Sequence, residues 1–183
     1  MNEGEGIRKT CKFRQVLIDV HTQYDLMFRG AYDRDTVLRS VRRLIAWSHV
    51  HCIPIISLAL MRRPGTIGEN ICVRGTSGQR KVRGTVLASH ATLDSGPSTD
   101  LPGDLLRKCQ QVILNVSTQD PFVQPRADRL LTGLNANQIA IFGIGFNGAI
   151  TCTALGLLAR GQNVASNTAA IDLNSKSPEC VFT

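Results

Sequence analysis

Three places in the chain carry groups that could do chemistry. Asp19 closes the apolar run Phe13–Val20 (F-R-Q-V-L-I-D-V), so a carboxylate stands where a buried strand would finish. A carboxylate at the edge of a core loses hydration and becomes a candidate proton acceptor. Asn115 closes a second apolar run, Gln111–Asn115, with an amide that can donate and accept but carries no charge. The turn Gly143-Ile144-Gly145-Phe146-Asn147-Gly148 lies between an apolar run and a helix-like stretch. Glycines there let backbone N–H groups approach an anion at a helix N-terminus. Three readings stand open: dinucleotide binding at Gly143–Gly148, a tight strand-to-helix turn, and an active-site turn. Against the first, little chain follows Gly148, and Asn167 stands where a ribose-binding acid is wanted.

The elements that must position these groups alternate. Strands are expected at Phe13–Val20, Pro54–Met61, Gln111–Asn115, Gln138–Phe142 and Asn163–Asn167. Asp33 or Asp35 can cap a helix to about His51, with Val37, Leu38, Val41, Leu44, Ile45 and Ala46 on one side and Arg39, Arg42 and Arg43 on the other. Leu105–Gln110 reads as a short helix, and Pro125–Gly133 opens with proline and closes with glycine as a helix should. Asn147–Arg160 is a nearly all-apolar helix and is expected to be buried, Cys152 included. Residues 62–103 are rich in Gly, Ser, Thr and Arg and show little regular pattern, which marks a loop that is either functional or partly disordered. Alternating elements with continuous apolar strands imply an α/β protein: a three-layer α/β/α sandwich around a mostly parallel, Rossmann-like sheet. Ligands of such sheets sit at the carboxyl ends of the strands, where Asp19, Asn115 and the glycine turn all fall.

Composition bounds the rest. The 183 residues, 43% hydrophobic and 19% charged, suit one folded domain spanning 1–183, with a polar tail over 1–12. The net charge of +7 is scattered and aromatic residues are only 5%, so neither nucleic acid nor membrane is an expected partner. No signal core precedes Phe13, and a cytoplasmic address is the default. The six cysteines form no C-x-x-C pair; reduced thiols are expected, and neither metal nor cofactor.

At four stretches the sequence resembles the isochorismatase-like cysteine hydrolases, the nicotinamidases, isochorismatases and carbamoylsarcosine amidases. Val16-Leu17-Ile18-Asp19-Val20 is similar to their first strand with its acid. Cys72-Val73-Arg74-Gly75-Thr76-Ser77-Gly78-Gln79 resembles their G-T-x-G loop, and Val112 to Phe122 their third strand and the lysine-bearing segment after it. Phe142 to Gly161 is similar to the nucleophile turn and helix, with Thr153-Ala154 in place of a T-A pair that follows the cysteine by four residues. In that family an Asp, a Lys and a Cys at a helix N-terminus converge; the thiolate attacks and backbone N–H groups hold the oxyanion.

Carried over residue by residue, the resemblance makes Asp19 the acid, Asn115 the lysine position and Ala149 the nucleophile position, so nucleophile and cation are both lost at their usual places. Gly145 and Ala149 would supply oxyanion donors, and Tyr24, Gly75, Thr76, Phe122, Phe146 and Asn147 would line a pocket. Asp19 would be either a desolvated, unpaired acid or a hydrogen-bond partner of the turn. Cys152 lies about 4.5 Å farther along the helix than Ala149 and reads as packing. After the second strand, where the nicotinamidase branch carries an Asp-x-His metal site, this chain has Leu60-Met61-Arg62-Arg63-Pro64-Gly65. The resemblance further implies a homo-oligomer and a chain end short of a last helix and sixth strand. The expected function is a binding or assembly role for a small-molecule ligand, without the family's hydrolysis. The alternative is a hydrolase of a small amide or vinyl ether that uses Asp19 with Cys152 or water.

Overall fold

The computed structural model describes residues 13–28, 33–65, 70–144 and 146–164, the side chains of 146 and 147 apart. Five strands, β1 (Phe13–Val20), β2 (Ile55–Leu60), β3 (His90–Leu93), β4 (Gln111–Val116) and β5 (Ala136–Gly143), form one sheet in the order β3-β4-β2-β1-β5. Every pairing is parallel. Residues of β2 and β4 are buried along their whole length, as strands covered on both faces must be.

Helices cover both faces. Between β1 and β2 run α1 (Tyr24–Met27) and α2 (Arg34–Val50); α3 (Leu105–Lys108) precedes β4, α4 (Pro125–Thr132) precedes β5, and α5 (Thr151–Ala159) follows it. Asp33 caps α2, its carboxylate accepting from Asp35 N and Thr36 N. Val37, Val41 and Ile45 of α2 pack with Leu17, Ile55 and Phe142 on one face. Ala127 and Leu131 of α4 and Leu157 of α5 pack with Val16, Ile18, Ile56, Leu114 and Ile141 on the other. Alternation along each strand thus feeds two cores, one per face.

Three expectations change. His90–Leu93 is a strand inside the 62–103 stretch; at the sheet edge only one side of its pleat is covered, so it lacks an apolar run. The last helix opens with a single π-helical turn, Phe146–Ile150, and is not buried all round: Leu155 is 60% and Leu158 54% exposed. It lies on one face of the sheet, and only its inner side meets the core. The strand expected at Asn163–Asn167 is a single parallel bridge, Ile139 to Val164, and residues beyond 164 lie outside the described set. Among the described residues no helix is long and apolar enough to cross a membrane.

Candidate functional site

Asp19 is fully buried at the carboxyl end of β1, level with Ser57 on β2 and Phe142 on β5. Its Oδ2 gathers three donors: Ser57 Oγ at 2.9 Å, Thr22 Oγ1 at 3.1 Å and the Lys81 ammonium, which also donates to Thr22 Oγ1. Its Oδ1 has no hydrogen-bond partner among the described residues. Lys81 Nζ is nearly as buried, its side chain 5% exposed. The acid is therefore neither unpaired nor merely bonded to the glycine turn. It is closed in an ion pair with a lysine, and both partners are dry.

Lys81 reaches this corner because the 78–82 segment runs back along the chain that leaves β1. Tyr24 N donates to Arg80 O, Val82 N to Thr22 O and Asp25 N to Gly78 O, and Gln23 pairs antiparallel with Lys81. Gln23, fully buried, ties β2 to this hairpin: its amide exchanges hydrogen bonds with Leu60 and donates to Gln79 O at 2.6 Å. Gly78 is glycine because any Cβ there would lie 2.1 Å from the Asp25 carboxylate, which accepts from Cys72 N. The cation beside Asp19 thus comes from a loop, where side-chain pattern alone gave no hint of it.

Position 115 does not provide that cation. Asn115 shares the pleat side of Asp19 but lies two strands away and two residues farther along, about 12 Å between Cα atoms from strand spacing and rise. Its amide donates to Asp94 Oδ1 at 2.9 Å. His21, buried and in a left-handed conformation with φ 58°, sits near the pair. Burial first, and then the Lys81 charge, lower its pKa from 6.5 to about 4, so the imidazole is neutral at physiological pH.

Ala149 lies in the π-helical turn, 2% exposed, within the core that α4 and α5 share with the other face of the sheet. Its carbonyl accepts from Thr153 Oγ1 at 2.7 Å. Two glycines of the turn have packing causes. A Cβ on Gly143 (φ +143°) would fall 2.0 Å from Val20 O, and one on Gly148 would fall 2.6 Å from Gln119 Oε1. Close approach to β1 and to Gln119 accounts for these two glycines without a pyrophosphate. Gly145 lies outside the described residues, as do the side chains of Phe146 and Asn147.

A cavity of about 960 Å³ opens past the ends of β2 and β4. Its walls include Arg62, Arg63, Ser117, Gln119 and Cys152, and neither Asp19 nor Lys81 borders it. Cys152 is thus a partly exposed wall residue and not core packing, since the first turn of α5 that carries it faces the cavity. Of the pocket residues expected from sequence, Tyr24, Gly75, Thr76 and Phe122 do not border this cavity. Tyr24 stacks on Phe28, ring centroids 5.6 Å apart. Gly75 and Thr76 form an exposed turn in which Thr76 Oγ1 donates to Val73 O. Phe122 packs against Gly156 and lies under the Arg160 guanidinium, 3.9 Å from the ring centroid. Among the described residues no three His, Cys, Asp or Glu side chains cluster as metal ligands.

No protein-family model and no curated protein sequence matches the chain. Solved structures do. The pyrazinamidase/nicotinamidase of Streptococcus mutans superposes with a TM-score of 0.61 at 12% identity, covering 82% of each chain. An isochorismatase-like hydrolase from Alkaliphilus metalliredigens gives 0.60 at 14% identity, covering 82% of this chain and 78% of that one. The N-carbamoylsarcosine amidase of Thermoplasma acidophilum gives 0.58 at 13% identity, covering 83% and 80%. With its all-parallel sheet between two helical layers, the chain has the isochorismatase-like hydrolase fold.

Proposed function

We propose that this protein is a small-molecule binding module on a hydrolase fold, without the cysteine-hydrolase reaction. One observation carries the reading: the residue matched to the nucleophile is Ala149, a buried methyl group, while the matched acid already spends its charge on Lys81. A methyl cannot attack a carbonyl, and loss of the nucleophile costs a hydrolase triad on the order of 10⁶ in turnover. A cavity within the size range of ligand sites, at the carboxyl ends of β2 and β4, is what is left to bind with.

The test is a steady-state assay with nicotinamide, N-carbamoylsarcosine and isochorismate. Turnover below roughly 0.1 s⁻¹ is expected, two orders under a median enzyme. A faster rate that disappears in Asp19→Ala overturns the reading.

Cys152 supports a second reading, a hydrolase that uses this thiol, because it borders the cavity. Against it, a nucleophile and its base must lie within hydrogen-bond reach, and Asp19 is sealed from that cavity. Selective, pH-dependent alkylation of Cys152 by a substrate-like electrophile would favour the enzyme over the binding module.

A further inference from the structure

We propose that the outer face of α2 and the neighbouring 83–84 turn form a docking surface for single-stranded nucleic acid, in which the Tyr24–Phe28 stack receives bases and Arg39, Arg42, Arg43 and Arg83 hold the phosphates. This surface lies on the α2 side of the sheet and shares no residue with the cavity past β2 and β4. Composition argues against such a partner, because aromatic residues are 5% of the chain and its basic residues are scattered along it. Folding gathers both kinds at one place.

The rings come first. Tyr24 opens α1 and Phe28 follows one turn later; their rings stack with centroids 5.6 Å apart and planes 11° from parallel. Phe28 is 47% exposed, and the Arg34 guanidinium lies 5.4 Å from the centre of its ring. Near-parallel rings beside a planar guanidinium offer the flat surfaces on which unstacked bases settle.

The cations are tied to those rings through the backbone. Arg83 N donates to Tyr24 Oη at 3.4 Å, and Arg83 O accepts from Arg42 Nε at 3.1 Å and Nη2 at 2.7 Å. Gly84 (φ +84°) makes room for that guanidinium, since a Cβ there would lie 3.0 Å from Arg42 Nε. Arg39 stands one turn before both Arg42 and Arg43, so three cations share the exposed face of α2. Among the described residues Arg42, Arg43 and Arg83 form no ion pair. The acids of this helix stand at its start. Asp33 is held below the ordinary carboxylate range by hydrogen bonds from Thr36 first and by the Arg39 charge last, and Asp35 lies one turn before Arg39. Like charges fixed side by side repel until a polyanion neutralises them, and the counterions it releases drive the association. The cations of this face are arginines, while the nearby Lys81 is buried. Arginine's planar fork both pairs with phosphate and stacks on a base, whereas an acidic lipid surface is served as well by lysine. From Arg34 to Arg43 the helix runs ~14 Å, about four nucleotides at the 3.4 Å spacing of a stacked strand.

The test is fluorescence anisotropy of labelled oligouridylate and oligodeoxythymidylate, each about fifteen nucleotides long, titrated with the full chain. At least one is expected to bind with a Kd of about 10 µM or tighter in about 50 mM salt, and the tighter of the two names the sugar. Log affinity should fall against log salt with a slope of about −2.8, the value for four phosphates neutralised on a single strand. Arg43→Gln with Arg83→Gln should flatten that slope by about 1.4. Arg107→Gln with Lys108→Gln removes the same charge from α3 and should leave it unchanged. Phe28→Ala should weaken binding at least about fivefold. Phe28→Leu, which keeps bulk for folding but offers no ring, should weaken it similarly, and Phe28→Tyr should retain it. No binding up to about 100 µM protein, an equal loss in the α3 pair, a duplex bound as tightly as the single strand, or unchanged binding by Phe28→Leu each overturns the proposal. So does capture by phosphatidylserine vesicles without binding of either oligonucleotide, which would make this face a membrane contact.

Discussion

The carboxyl end of the sheet holds two compartments of opposite character. One is the Asp19 corner: almost no exposed surface, an ion pair, two hydroxyls on the same carboxylate oxygen, and a neutral histidine. The other is the cavity, open and mostly apolar in its lining, with two arginines and a thiol on its wall. In a working cysteine hydrolase, acid, cation and sulfur share one space. Here the acid and its cation are sealed together, and the reachable sulfur stands apart with a different set of charges. The corner's interactions serve the fold, while the cavity keeps the surface that a ligand can reach. A buried ion pair adds little net stability over an apolar pair but is costly to break from one side. That asymmetry makes the division measurable.

The largest effect is expected from Lys81→Met. It leaves the Asp19 carboxylate buried without its counter-charge and should cost about 3–5 kcal/mol in urea unfolding. Adding Asp19→Asn should return at least half of that, because the uncompensated charge is gone. A loss under about 1 kcal/mol would mean that water reaches the corner, and the two compartments would then be one.

His21 gives the next effect, and its sign is fixed. The folded pKa, about 4, lies below the unfolded 6.5, so the unfolded chain takes the proton first as pH falls. The neutral imidazole's contribution is intact above pH 6.5 and drains away between 6.5 and about 4, up to about 3 kcal/mol in all. His21→Gln should remove this part of the slope in denaturant midpoints measured across that window. A slope unchanged by the substitution would place His21 in contact with solvent.

Glycines sharpen the contrast between fixed and yielding surroundings. Gly143→Ala would drive a Cβ into the backbone of β1 at a positive φ and should cost about 1–3 kcal/mol or more. Gly148→Ala meets only the end of the Gln119 side chain, which can swing into the cavity, and should cost under about 1 kcal/mol. Equal losses in thermal melts would show that Gln119 is held as firmly as the sheet.

Much of the frame was legible because apolar runs and caps are local signals. β1, β2 and β4 lie within a residue or two of their expected bounds, β5 begins two residues earlier, and α2 starts from Asp33 as its capping chemistry requires. The acid at the end of β1 was legible for the same reason. Lys81 was not, because its role depends on a hairpin 62 residues from Asp19, set by backbone hydrogen bonds and the missing Cβ of Gly78. Cys152 was misplaced because a helix that is apolar on every side gives periodicity nothing to orient, and its outward leucines look the same as its inward ones. β3 escaped because four residues at a sheet edge bury one side only.

The smallest expected effect on stability tests the division most directly. Cys152→Ser changes one atom on a partly exposed wall and should shift unfolding by no more than about 0.5 kcal/mol. Its value is in reactivity. In the folded protein, iodoacetamide should modify Cys152 and exposed Cys52 well before Cys72, which has no exposed surface. Peptide mapping over time reads the order, and unfolding in urea should level the rates. Should Cys152 react as slowly as Cys72, the cavity is closed in solution. The thiol then belongs with the sealed acid, and the wall that holds it is core.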